Sequence, residues 1–131
     1  MPHYAAALLI TALLTTAGPY HVDRIACYDG DTCTIDIDLG LDVALRGQTI
    51  RLCDINAPEL RSGNQRAAGA AARDYLNMLV GTSTAVEVVI PQNAHDSFGR
   101  WLAYLYIDGR SVNQHLIQSG HAALYSRTCA P

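Results

Sequence analysis

Between Ile50 and Arg61 the chain reads IRLCDINAPELR, with an arginine, an asparagine and a glutamate set around Pro58. Arginine makes a planar, two-pronged contact with phosphate, and Asn56 and Glu59 bring oxygen atoms to its neighbourhood. Ile50 and Leu52 alternate as a strand entering a core does, whereas Pro58 cannot donate to a ladder, so the strand must stop or bulge before it. On a straight strand Arg51 and Asn56 would lie on opposite faces. Only an irregular bend can aim Arg51, Asn56 and Glu59 at one point. An exposed strand end with ordinary polar decoration explains this stretch equally well taken alone, and two further stretches tilt the balance toward a binding site.

The first is YDGDT, Tyr28 to Thr32, followed by CTIDIDLGL, in which Cys33, Ile35, Ile37 and Leu39 alternate with Thr34, Asp36 and Asp38. Asp31 shares the parity of the apolar set. A carboxylate at the mouth of an inward face is costly unless a cation or hydrogen bonds satisfy it, which makes Asp31 a better ligand candidate than its neighbours. Asp36 and Asp38 have the spacing of a metal pair but fall on the outward face and read as a solvated edge. The second stretch is QNAHDSFGR, which sets Arg100 at a strand start behind Gly99, a residue that lets backbone approach a ligand closely. His95, His115 and His121 are scattered without ligand spacing and read as structural or exposed.

Five strands must position these side chains. They are predicted over Tyr20 to Cys27, from Cys33 through the IDIDLGL run, over Val43 to Leu52, in TAVEVVIP and in RWLAYLYI, with hairpin signals at Asp29-Gly30 and Asp108-Gly109. The alanine-rich run NQRAAGAAARDYLNMLVG predicts a helix from about Asn64 to Val80, ended by Gly81, with Ala68, Ala71, Ala72, Tyr75, Leu76 and Leu79 near helical spacing. A short second helix is expected after the fifth strand, with Ser111 as N-cap and Gly120 as its stop. The architecture this implies is α+β: a five-stranded OB-fold barrel with one helix between strands 3 and 4 and a short helix after strand 5.

At 131 residues the chain is expected to form a single domain over residues 19–131, behind a leader at 1–18. The net charge of -3 argues against a protein that coats nucleic acid electrostatically, yet permits a small, focused phosphate site. All nine cations are arginine. The first eighteen residues, MPHYAAALLITALLTTAG, have the apolar run and small residues of a secretory signal peptide but lack its basic start, and Ala5 to Leu14 is too short to span a bilayer. Secretion or a periplasmic location is expected; a docked N-terminal segment of a cytoplasmic protein is the alternative. The four cysteines, Cys27, Cys33, Cys53 and Cys129, allow disulfides in an oxidising compartment or buried free thiols, and none has zinc spacing.

Three motifs, DGDT at Asp29 to Thr32, IRLCDINAPE at Ile50 to Glu59, and DSFGRWLAYLY followed by DGRSVNQHLIQSGHA, resemble the signature of the staphylococcal nuclease (thermonuclease) family. The resemblance runs from about Tyr20 to Tyr125. It implies a calcium-dependent phosphodiesterase acting on DNA or RNA and leaving a 5′-hydroxyl and a 3′-phosphate. By that likeness Asp31, Asn56 and the Ala57 carbonyl would be Ca2+ ligands, Glu59 would position or activate the attacking water, and Arg51 and Arg100 would grip the phosphate. The protein is expected to act as a monomer, away from membranes once the leader is removed. The pairing expected alongside this likeness is Cys27 with Cys33 across the DGDT hairpin, leaving Cys53 for Cys129.

The departures from the family pattern make their own expectations. Asn56 stands where the family has an aspartate, so calcium binding should weaken, since affinity follows ligand charge. Asp54 would supply the missing charge if the strand ran regularly to Asn56. Phe98 stands where a tyrosine is frequent, and Ser126 falls near a second tyrosine position with Tyr125 beside it. A catalytically weak or inactive OB-fold module that binds nucleic acid or protein is therefore the competing reading. Arg51, Glu59 and Arg100 together favour the enzyme, because a pure binding module needs no water-positioning glutamate beside two arginines.

Overall fold

The computed structural model describes residues 16–61, 63–125 and 129. Residues 1–15 of the expected leader, Ser126, and residues 127, 128, 130 and 131 of the C-terminal tail lie outside the described residues. The leader expectation meets the structure only at its end: β1 (Ala17–Cys27) has already begun at Ala17, opposite Ile90, earlier than the predicted Tyr20. No helix among the described residues is long and apolar enough to cross a membrane.

The alternation of β2 (Thr32–Gly40) does what its parity requires: Cys33, Ile35 and Ile37 point into the core while Thr34, Asp36 and Asp38 are half-buried outside it. β3 (Val43–Leu52) returns antiparallel, its outer half exposed and Ile50 and Leu52 fully enclosed. A two-residue turn, Leu41 and Asp42 both at positive φ, joins the two strands. β5 (Val86–Ile90) and β6 (Trp101–Ile107) complete the wall. The order is β3-β2-β1-β5-β6, and a parallel pairing of β6 with β3, Ile50 opposite Trp101 through Leu52 opposite Ala103, closes the sheet on itself. This is the expected five-stranded OB-type barrel, closed at the inner end of β3.

Helix α1 (Arg66–Thr82) lies in the chain between β4 (Ile55–Asn56) and β5 and plugs the barrel with Leu76 and Val80. It starts and ends two residues later than the periodicity predicts. Gly81 does not stop it; the helix runs to Thr82, whose hydroxyl bonds the Met78 carbonyl, and Ser83 leaves in extended backbone. The buried face is Gly69, Ala72, Leu76 and Val80, so Ala68 and Ala71 are exposed rather than packed. After β7 (Arg110–Ser111), α2 (Val112–Gln118) begins with Ser111 accepting from the Gln114 N–H, as the N-cap reading requires. Gly120 follows at positive φ just past its end. The short strands β4, β7 and β8 (Ala123–Leu124) were not legible as periodic runs; β4 pairs β8, so the last described stretch of chain folds back over the end of β3.

Both expected disulfides are present, Cys27–Cys33 and Cys53–Cys129. The first closes the β1–β2 turn that carries Asp31; the second ties the residue after β3 to the C-terminal tail.

Candidate functional site

The turn between β1 and β2 is wider than a two-residue Asp-Gly hairpin, and Gly30 is there for space rather than for a left-handed φ. A Cβ on it would stand 2.7 Å from the Cβ atoms of both Ala57 and Ala72. Three elements therefore meet at this glycine: the DGDT turn, the loop after β4, and α1.

That contact brings Asp31, 6% exposed, under the end of β3. Its Oδ1 accepts the Thr32 hydroxyl at 3.0 Å and its Oδ2 accepts the Ala57 N–H at 2.8 Å. The Arg51 guanidinium sits 3.3 Å from the same Oδ2. Arg51, opposite Thr32 in the ladder and 8% exposed, also donates to the Leu52 carbonyl at 2.9 Å and to Asn56 Oδ1 at 3.3 Å. The irregular bend is real: β3 stops at Leu52, Asp54 takes a φ of 65°, and β4 restarts with Asn56 turned back toward Arg51. Asp29 receives the Asp31 N–H, and burial together with the Asp31 carboxylate pushes its pKa up to about 6.

Arg51 and Asn56 open onto a cavity of about 580 Å³ whose other wall carries Asp96, Phe98, Arg100 and Tyr125. The Arg100 Nε donates to Asp96 Oδ2 at 2.7 Å, and its guanidinium lies 5.1 Å from the centre of the Phe98 ring. Tyr125 is held there by its N–H, which donates to the Asp54 carbonyl at 2.7 Å.

Of the six residues singled out from the sequence, Asp31, Arg51, Asn56 and Ala57 form one hydrogen-bonded cluster, and Arg100 faces it across the cavity. Glu59 stands apart from the cavity lining, exposed on the loop before α1. Its backbone N–H donates to Gln65 Oε1 at 3.1 Å, and Gly69 lets the Pro58 and Glu59 carbonyls press onto the helix, within 2.9 Å of where a Cβ would be. Asp54 does not supply the charge that Asn56 lacks. The regular strand that idea needed is broken by the turn, and the Asp54 carboxylate instead accepts a short hydrogen bond from Tyr104, whose pKa burial and this contact raise to about 12.

Sequence reasoning missed Asp29 and Asp96. Asp29 lies in the turn ahead of β2, where strand parity says nothing about direction, and only the wide turn buries it beside Asp31. Asp96 had a usable signal, an aspartate shortly before a Gly-Arg pair, which is the spacing of a side chain that hydrogen-bonds its own loop.

As oxygen donors for a hard cation, the Asp31 carboxylate, the Asn56 amide and the Ala57 carbonyl fit calcium in kind, with the Asp29 carboxyl beside them. Among the described residues no three His, Cys, Asp or Glu side chains gather into a metal-binding group, so the set fits with few formal charges.

An OB-type barrel that brings two arginines to one cavity, one of them backed by the buried Asp31, defines a class of small β-barrel domains with a cationic cleft. Comparison with known proteins makes that narrower: residues 49–130 match the family described as staphylococcal nuclease homologue, and the chain belongs to this family. It is 32% identical over 113 residues to Endonuclease YhcR of Bacillus subtilis (strain 168), covering 79% of this chain and 9% of that protein. It is 30% identical over 96 residues to the SPbeta prophage-derived endonuclease YokF of the same organism, covering 72% of this chain and 30% of that protein. The chain thus spans less than a third of either relative.

Proposed function

We propose that the protein is a calcium-dependent nuclease that hydrolyses phosphodiester bonds of DNA, RNA or both to 5′-hydroxyl and 3′-phosphate products. The observation that carries this is the convergence of Arg51 from β3 and Arg100 from the loop before β6 on one cavity, with Asp31 and Asn56 behind it. Family membership and two relatives named endonuclease support it.

The chemistry assigns each residue a task. Asp31, Asn56 and the Ala57 carbonyl would hold calcium, which when bound supplies positive charge against the phosphate oxygens. Arg51 and Arg100 present forked donors to the non-bridging oxygens, where charge builds as water attacks; such donors are worth roughly 2.7 to 4 kcal/mol each in a water-poor site. Arg51 would reach the phosphate by giving up its bond to Asn56 Oδ1, while Asp31 and the Leu52 carbonyl keep it in place. Glu59 orients the attacking water and accepts its proton as the new P–O bond forms and the bond to the 5′ oxygen breaks, the departing 5′ oxygen taking its proton from solvent. The Glu59 side chain is exposed on the loop before α1, and its backbone is fixed there by Gln65.

One observation favours the alternative, a binding module of low or no activity. Arg51 already bridges Asp31 and Asn56, so the cluster holds its own cation, and Asn56 subtracts a charge from the calcium set. Hydrolysis of single-stranded DNA under a calcium titration, with a chelator control and Glu59→Gln in parallel, separates the two. Cleavage that needs calcium and is lost in the variant supports the enzyme; a folded protein that cleaves nothing at high calcium moves the reading to the module.

The two disulfides suit an oxidising compartment and support secretion or a periplasmic location.

A further inference from the structure

We propose that Asp96 is a positioning residue for Arg100, aiming its guanidinium into the cavity; this rests on the phosphate-handling reading of that site. The two carboxylate oxygens have separate partners. Oδ1 accepts the backbone N–H groups of Phe98 and Arg100, both at 2.9 Å, and so shapes the loop. Oδ2 accepts Arg100 Nε at 2.7 Å. The loop is closed further by the Asp96 N–H to the Arg100 carbonyl at 2.8 Å and the Gly99 N–H to the Asp96 carbonyl at 3.1 Å.

Engaging a guanidinium through Nε leaves its two terminal nitrogens, the pair that forks onto a phosphate. The ion pair therefore orients Arg100 without consuming the donors that substrate would use. Phe98 holds the opposite side: its ring, 81% exposed, lies under the Arg100 guanidinium. Arg100 is thereby fixed on an otherwise exposed loop, and the phenylalanine that replaces the family's frequent tyrosine keeps a role that needs no hydroxyl. Burial pushes the Asp96 pKa up, but the hydrogen bonds from Arg100 and Phe98 outweigh it and hold the carboxyl below its ordinary range, so the pair is ionised wherever the protein is folded near neutrality.

Asp96→Asn separates orienting from folding, because the amide oxygen can still accept the Phe98 and Arg100 N–H groups while the second oxygen, which holds Nε, is lost. It is expected to melt with the wild type and to lower kcat/KM on single-stranded DNA about 10- to 100-fold, the scale of a misaimed contact. In an Arg100→Ala background the same substitution should cost nothing further, since residues acting through one another are not additive. Should Asp96→Asn fold less well, Asp96→Ser takes its place, its hydroxyl still able to accept the Phe98 N–H. Unchanged kcat/KM in the single variant, or a full loss persisting without Arg100, would overturn the proposal.

A wild type that cleaves nothing would sink the nuclease reading instead, and inorganic phosphate titrated into the two proteins then decides the matter. At least about tenfold weaker phosphate binding in Asp96→Asn upholds the positioning role. Equal affinity, or no binding by either protein, overturns it.

Discussion

Arg51 and Arg100 bring the same group to the same cavity by opposite means. The Arg51 side chain is 10% exposed and held by Asp31, Asn56 and the Leu52 carbonyl on the closed wall of a barrel. The Arg100 side chain is 26% exposed on a loop, held by one carboxylate and one ring. The first arrangement couples the site to the core; the second leaves a side chain whose loss the fold tolerates. Around Arg51, stability and site geometry are one property, whereas around Arg100 they can be separated by mutation.

The sharpest test of that contrast is Arg51→Met against Arg100→Ala in urea unfolding. Removing Arg51 strands the buried Asp31 carboxylate and should cost about 3 to 5 kcal/mol. Losing the more exposed Arg100 pair should stay within about 1 kcal/mol while reducing cleavage far more than stability. Equal destabilisation by the two would erase the distinction.

The disulfides extend the comparison to the chain ends of the site. Cys53–Cys129 spans 76 residues and Cys27–Cys33 only 6. Chain entropy alone then predicts that opening them by paired Cys→Ser substitution costs about 4.5 and about 2 kcal/mol respectively. Thermal melts of the two double variants check the order, and the short bridge should show its effect mainly in the Asp31 turn and hence in calcium binding.

Calcium titration by calorimetry addresses the charge of the closed wall. Asn56→Asp adds a carboxylate beside Asp31 and should tighten calcium binding, on the order of tenfold for a group that gains one formal charge. Equal affinity in both proteins would mean that Asn56 is not a ligand.

The smallest expected effect is at Asp29. Its folded pKa of about 6 lies above the ordinary 3.8, so the stability linked to its proton is complete below the unfolded value and lost as pH rises through about 6. Asp29→Asn still accepts the Asp31 N–H and removes the repulsion, so without calcium at pH 8 it should raise Tm by about 2 to 4 °C. With both proteins at pH 4, where Asp29 is mostly protonated, the difference should shrink toward zero.

Period-two alternation in CTIDIDLGL and around Ile50 and Leu52 was enough to orient β2 and β3, because a one-residue slip would turn every buried side chain outward. Asp31 could be read as an inward carboxylate by the same parity, and the motifs carrying Arg51, Glu59 and Arg100 pointed to the family. Local turn chemistry likewise exposed the Ser111 cap. The closure of β6 onto β3 was not local in this sense. It puts Leu102 beside Arg51 across a gap of many residues, and no periodicity within either strand encodes that neighbour.

Only the packed molecule decides which groups end up sharing charge. Asp29 and Asp31 crowd together because Gly30 passes between Ala57 and Ala72, and Asp54 turns to Tyr104 instead of to Asn56 because the backbone reverses there. These outcomes depend on close approach between elements distant in sequence, where steric fit and burial act on side chains that the local pattern leaves indistinguishable from ordinary polar residues.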